Sequence, residues 1–321
     1  MILNIILLIV GLALVVFGAE YFVEGASLVA KRFGIPKLII GLTIVAIGTS
    51  APELAVNIIS SISGHNDLAL GNILGSNIAN VLLIFSISIL FVKKIHISKE
   101  SLNQVALSVI VATLLVVLSY VLNIGGKNIS SIEGVFLIIA GLVYWLYLYK
   151  LTKGDKERQE TEEIVDNKLE KIKSTGILIL IIFISLSALL FGSQIATNSA
   201  VFIATYLGIS ELVIASTIIA VGTSLPELVT SIHAVKRHHY DLMIGNIVGS
   251  NIVNTLFILG ASATINQIPV SKEATSYVNF ALISVVLLLV GFTFPDRQKF
   301  SKWKAFIFLG VYIIFIISTL S

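Results

Sequence analysis

Gly41 to Ile84 reads GLTIVAIGTSAPELAVNIISSISGHNDLALGNILGSNIANVLLI, and Ala215 to Ile258 reads ASTIIAVGTSLPELVTSIHAVKRHHYDLMIGNIVGSNIVNTLFI. The two segments align without a gap at an offset of 174 residues, with 23 of 44 positions identical. Each copy sets one carboxylate, Glu53 or Glu227, inside an apolar stretch. Neither apolar span around these carboxylates, 38–62 or 212–235, contains a Lys or Arg to pair with them. A carboxylate at membrane depth is costly unless something neutralises it, so each copy calls for a bound cation or a proton. Duplication of such a motif points to a transporter whose halves build one cation site between them.

The rest of the 321-residue chain supplies the membrane. Hydrophobic residues make up 56% of it, charged residues 12%, and the mean hydropathy is +1.00. Its apolar runs have the length that spans a bilayer as helix, about 20 residues. Ten spans are expected, near 2–30, 38–62, 69–92, 102–122, 132–150, 176–203, 212–235, 242–264, 277–294 and 305–320. The N-terminal run lacks a basic segment before it and reads as the first span, not as a cleaved signal. Cysteine is absent, which excludes disulfides and thiolate metal sites. The small net charge of +3 reflects orientation and does not suggest a nucleic-acid partner.

Of the 21 Lys and Arg residues, all but Lys127 and Lys272 fall in alternate loops on one side. The positive-inside rule puts that side in the cytoplasm, with both termini outside and the central loop cytoplasmic. Five spans per half then make the two motif copies face opposite ways. The expected fold is therefore an all-α integral membrane protein of ten transmembrane helices, two inverted five-helix repeats with helices 2 and 7 broken. Residues 1–150 form the first repeat and 176–321 the second. Between them the polar stretch 151–175 reads as a solvated linker, without the carboxylate and glycine pattern of a calcium loop.

The motif itself predicts the breaks. Pro52 and Pro226 lack an amide hydrogen and collide with the carbonyl four residues back, that of Gly48 or Gly222. Carbonyls over 46–49 and 220–223 are expected to lose helical partners, which is tolerated in a membrane only beside protein or a cavity. Hydroxyls, carbonyls and a carboxylate make an oxygen ligand set that suits Ca²⁺ or Na⁺ rather than zinc or copper. Gly71 with Gly75 and Gly245 with Gly249 have the spacing for close helix approach. Ser76 with Asn80 and Ser250 with Asn254 share helix faces. Glu20 and Glu24, matched by Gln194 and Asn198 in the second half, suggest an ion vestibule or a membrane-face position. Asn57 is placed to hydrogen-bond Glu53, with Ser231 at the matching position. His65, His238 and His239 fall in short loops and read as solvated; Trp145 and Trp303 read as interfacial anchors.

The paired GTSAPE/GTSLPE and GNILGSN/GNIVGSN segments resemble the α-repeats of the cation/calcium exchanger superfamily, specifically its prokaryotic sodium/calcium exchanger family, over the whole chain. The resemblance implies metal ligands at Ala46, Thr49, Ser50, Glu53, Ser76 and Asn80 of the first copy. From the second it implies Ala220, Thr223, Ser224, Glu227, Ser250 and Asn254. It further implies that the first and sixth helices slide across the core, and that Ca²⁺ and Na⁺ share ligands. Asn stands at 254, where potassium-dependent relatives have Asp, so K⁺ co-transport is not expected. The short linker leaves no room for the regulatory calcium domains of animal exchangers. The function read from the sequence is Na⁺/Ca²⁺ antiport by alternating access, exporting Ca²⁺, in a monomer that needs no cofactor and no enzymatic chemistry. The alternative is Ca²⁺/H⁺, or other divalent cation, antiport by the same fold; a channel gains little from inverted repeats.

Overall fold

The computed structural model describes residues 1–120, 128–154, 169, 171–208, 220–269 and 272–320. Helix α1 is Ile2–Phe33, and its capping residue Gly34 takes a left-handed conformation (φ 63°) that turns the chain back. The second span is a bent pair, α2 (Lys37–Thr49) and α3 (Ala51–Ile62), meeting at 49°. Pro52 lies at the first turn of α3, where its missing amide costs nothing. Helix α4 runs Asn66–Ala79, widens into a π turn over Asn80–Ile84 and continues as Phe85–Leu90. Then come α5 (Lys99–Tyr120), α6 (Ser131–Gly154) and α7 (Thr175–Tyr206).

The second motif copy repeats the break. A short α8 (Ala220–Thr223) stops at Ser224 and α9 (Leu225–Lys236) restarts with Pro226 in its first turn. Helix α10 (Tyr240–Ile265) carries a π turn over Val253–Ile258, and α11 (Lys272–Thr293) and α12 (Lys302–Leu320) follow. The expected start of the seventh span, 212–219, lies outside the described residues. Among those described, five helices are long and apolar enough to cross a membrane, and the bent pair makes a sixth.

Two motif helices form the centre. Nearly all of α10 is buried, as is most of α4, whereas α1, α6 and α7 turn apolar side chains outward. A Cβ added to Gly245 would lie 2.6 Å from the Leu38 carbonyl oxygen and 2.8 Å from the Gly41 Cα, so α10 meets α2 backbone to backbone. The close approach expected of Gly71 and Gly75 has no counterpart among the described atoms, none of which comes within 4 Å of a Cβ built there. Helices α1 and α7 pack on each other just as closely: a Cβ on Gly18 would stand 2.7 Å from the Leu189 amide nitrogen.

Two antiparallel ladders, not expected from the sequence, tie loops across the halves. Strand β1 (Lys94–His96) pairs with β4 (Lys299–Ser301), and β2 (Asn128–Ile129) with β3 (Ile268–Pro269). Two loop and belt expectations are corrected. His239 is half-buried, and its Nδ1 lies 3.1 Å from the Lys37 Nζ. Burial, then the positive charges of Lys37 and Arg237, hold its imidazole down to about 3, so it accepts from Lys37 as a neutral ring. Trp145 is not a belt residue: it stacks on Phe257 at 4.2 Å, with its indole nitrogen buried. Trp303 is 56% exposed, His238 and His65 are exposed, as expected.

Candidate cation site

Glu53 opens α3 and Glu227 opens α9, each just after its helix break, and each is 1% exposed. Their first partners are serines, and the two repeats exchange them. Ser76 of α4 donates to Glu53 Oε1 at 3.4 Å, and so does Ser224, from the other repeat, at 3.2 Å. Glu227 Oε1 accepts from Ser250 of α10 at 3.4 Å and from Ser50, again of the other repeat, at 3.0 Å. Ser224 also lies 3.4 Å from the Ser76 hydroxyl. The break in each copy thus points its serine at the opposite copy's carboxylate, which draws both glutamates into one cluster.

Each carboxylate keeps a second oxygen. Glu53 Oε2 and Glu227 Oε2 are buried without any donor, and so are Asn80 Oδ1 and Asn254 Oδ1. Asn80 and Asn254 stand one helical turn beyond Ser76 and Ser250, at the onset of the π turns. Four acceptor oxygens with nothing to accept from are expensive in a protein interior, about 1–3 kcal/mol each. An oxygen-seeking cation is what removes that cost. Among the described residues no three His, Cys, Asp or Glu side chains come together, so the negative charge here is that of the two glutamates.

Hydrogen bonds join six of the twelve expected ligands, Ser50, Glu53, Ser76, Ser224, Glu227 and Ser250, in one cluster, and the contacts of the others lie elsewhere. Thr49 is buried and its hydroxyl donates to Asn246 Oδ1 at 3.1 Å; Thr223 is half-buried and likewise engaged. The Ala46 carbonyl is not left free as expected: it accepts the Ser50 amide at 3.0 Å and the Thr49 hydroxyl at 3.4 Å. Bending the helix at Ser50 keeps that last α bond intact, because the missing donor is the one that would serve Gly48. Ala220 opens the described part of the second copy, and its side chain lies outside the described residues. Asn57 bonds the Glu53 main-chain carbonyl at 2.7 Å, not its carboxylate, while Ser231 accepts from Asn246 at 3.0 Å.

Three features escaped the sequence reading. Asn246 links Thr49 to the Glu227 main chain and to Ser231. Asn77 and Asn251 form an amide network across the repeats with Asn80, Asn254 and Thr255. Their signal is the duplicated GNILGSN and GNIVGSN segments, where Asn246 ends the GN pair and Asn77 and Asn251 end the GSN triplets. Last, Glu20 and Glu24 of α1 both bond Arg237, at 3.5 Å for Glu20, so the vestibule alternative gives way to an ion-paired cluster at the end of α9.

Carboxylates and serines thus converge on one cluster from the two broken helices, and known proteins are similar to this chain over nearly its whole length. The family described as sodium/calcium exchanger protein matches residues 3–150 and 177–320. Inner membrane protein YrbG of Escherichia coli is 37% identical over 296 residues, 90% of this chain and 89% of YrbG. Sodium/calcium exchanger MaX1 of Methanosarcina acetivorans is 28% identical over 349 residues, covering 98% of this chain and 97% of MaX1. The solved sodium-calcium exchanger NCX_Mj, soaked with 10 mM Na⁺ and zero Ca²⁺, has the same fold with a TM-score of 0.83 at 29% identity, over 99% of both chains. This chain belongs to the sodium/calcium exchanger protein family, a family of membrane transporters and not of enzymes.

Proposed function

We propose that this chain is a secondary antiporter that exchanges Na⁺ for Ca²⁺ by alternating access and exports Ca²⁺ across the plasma membrane. The observation that carries this reading is the set of four buried acceptor oxygens, on Glu53, Glu227, Asn80 and Asn254, that no donor satisfies. With the four hydroxyls of Ser50, Ser76, Ser224 and Ser250 they provide eight oxygens, and Ca²⁺ takes about six to eight. Two carboxylates balance one Ca²⁺ or most of the charge of several Na⁺. An empty site would leave two unpaired buried charges, which disfavours crossing without cargo and enforces exchange.

The topology proposed is ten spans in two inverted repeats, residues 1–150 and 176–321, joined by a cytoplasmic linker, with both termini outside. Contacts between loops support it. The β1–β4 ladder and the Lys37–His239 contact join segments that charge bias puts in the cytoplasm. The β2–β3 ladder and the Asn266 bond to the Ser61 carbonyl join segments assigned to the outside. One chain supplies both halves of the site, so a monomer suffices.

Uptake of ⁴⁵Ca²⁺ into Na⁺-loaded proteoliposomes diluted into Na⁺-free buffer tests the function. Uptake that needs the Na⁺ gradient and is lost in Glu53→Gln supports exchange. Uptake driven by a pH gradient alone would move the protein to Ca²⁺/H⁺ antiport on the same site.

A further inference from the structure

An asparagine amide offers oxygen from one end and hydrogens from the other, and only one end helps a cation. Asn80 and Asn254 contribute oxygen only if something holds them in the right sense. The network behind them does so. Asn251 Nδ2 donates to the main-chain carbonyl of Asn77 at 3.1 Å. A carbonyl can only accept, so this bond fixes the sense of Asn251 and turns its Oδ1 toward Asn80. Asn80 must then meet it with its NH₂ group, and does so at 2.9 Å. The Asn80 oxygen is thereby left at the other end of the amide, buried and without a donor.

The matching bond joins Asn254 Nδ2 to Asn77 Oδ1 at 3.1 Å, while Asn77 Nδ2 reaches the Thr255 hydroxyl at 3.0 Å. A hydroxyl both donates and accepts, so that second chain has no fixed end of its own. The Asn77 carbonyl is the only one-way group in the network, and it acts through Asn251.

We infer that Asn251 is a positioning residue of the exchanger: from one repeat it fixes the amide of Asn80 in the other so that oxygen, not hydrogen, faces the cation. This rests on the reading of the glutamate cluster as the ion site. It adds a residue that touches no ion and yet sets the affinity for it. It also gives a reason for the exchange of contacts between repeats, since neither repeat alone can orient its own asparagine.

The test is a four-way comparison of wild type, Asn251→Ala, Asn80→Asp and the double variant, reading KM and kcat for Ca²⁺ in Na⁺-loaded proteoliposomes. Asn251→Ala frees the Asn80 amide to turn, and the Ca²⁺ KM is expected to rise about tenfold, equivalent to about 1.4 kcal/mol, with kcat little changed. In Asn80→Asp a carboxylate oxygen is forced against the Asn251 oxygen. Removing Asn251 relieves that clash, and a carboxylate presents oxygen whichever way it turns. The double variant should therefore bind Ca²⁺ more tightly than Asn80→Asp alone. Losses that simply add, or an unchanged KM in Asn251→Ala, overturn the inference, since a packing role would give one or the other. Asn251→Ser, which deletes less volume, is read in the same way if the alanine variant does not fold. Wild type that takes up Ca²⁺ only under a pH gradient overturns the Na⁺-coupled reading, and the same KM comparison is then made in that arm. Wild type that binds no Ca²⁺ by calorimetry overturns both.

Discussion

The two repeats agree at the glutamate cluster and disagree at the helices that flank it. In the centre the pattern is reciprocal: Ser224 serves Glu53 and Ser50 serves Glu227, and Asn251 holds Asn80 as Asn77 holds Asn254. The outer helices α1 and α7 hold to that centre by different means. On α7, Ser193 donates to the Gly222 carbonyl at 2.9 Å, the carbonyl that Pro226 deprives of its helical partner. The matching residue of α1 is Ala19, which has no hydroxyl to offer Gly48. On α1, Glu20 and Glu24 instead grip Arg237, whereas Gln194 of α7 donates to Asn198 at 2.8 Å. The lesson is that the serine–glutamate cluster is built in duplicate, while the attachments of the α1–α7 pair diverge. The end of α1 beside Arg237 is fastened by charge, and α7 is fastened at the helix break by a neutral hydroxyl.

The reciprocal centre is tested most severely at its carboxylates. If the copies are equivalent, Glu53→Gln and Glu227→Gln should each lower Na⁺-driven Ca²⁺ uptake by about 100-fold or more, since removing one partner of a buried charge cluster costs about 3–5 kcal/mol. A variant at either position that retains a tenth of the activity would show that one copy dominates.

The unequal fastening makes the next largest prediction. Removing the charged grip with Arg237→Gln takes away hydrogen bonds to ionised groups worth about 1.5–3 kcal/mol, a shift of about 10- to 100-fold between the closed and open forms of that end. The natural chain has no cysteine, so a single Ala26→Cys on the buried side of α1 reports access without background. Its labelling by a soluble thiol reagent from the Arg237 side should quicken in Arg237→Gln and stay unchanged in Gln194→Ala. Equal labelling in all three proteins would deny the grip.

Equivalent glycines give a smaller contrast, in stability rather than rate. Gly245→Ala forces a methyl to within 2.6 Å of the Leu38 carbonyl, an overpacking that costs about 1–3 kcal/mol. Gly71→Ala meets no described atom within 4 Å and should leave the melting temperature in detergent unchanged. Equal melting temperatures for the two variants would mean that α10 and α2 separate at little cost.

What could be read from the sequence follows the range of the interactions involved. The break at Pro52 and the buried cost of Glu53 are local matters, settled by residues within one turn, and both stand in the structure as expected. Side-chain partners are tertiary. Nothing in the sequence tells that Arg237, counted with the loop charges, returns to a helix 213 residues earlier, or that His239 folds under Lys37. The freed carbonyl at Ala46 was misjudged because a bent helix keeps bonds that a severed one would lose. The π turns at Asn80 and Val253 left no mark in composition, since widening a turn changes no periodicity over so few residues.

The finest test of the comparison lies within the site. Ser76 and Ser250 are matched in sequence, yet among the described residues Ser76 hydrogen-bonds both Glu53 and the Ser224 hydroxyl, and Ser250 hydrogen-bonds Glu227 alone. The extra contact joins the two repeats, because Ser224 itself holds Glu53. Ser76→Ala therefore loosens two donors to one carboxylate, and Ser250→Ala only one. Each lost bond is worth about 1 kcal/mol, so the Ca²⁺ KM should rise about fivefold in Ser250→Ala and rather more in Ser76→Ala. Asymmetry in that direction would mean that the two repeats hold their carboxylates with unequal firmness even where their sequences coincide. Equal shifts would mean that the Ser76–Ser224 contact carries no energy and that the centre is as symmetric in energy as in sequence.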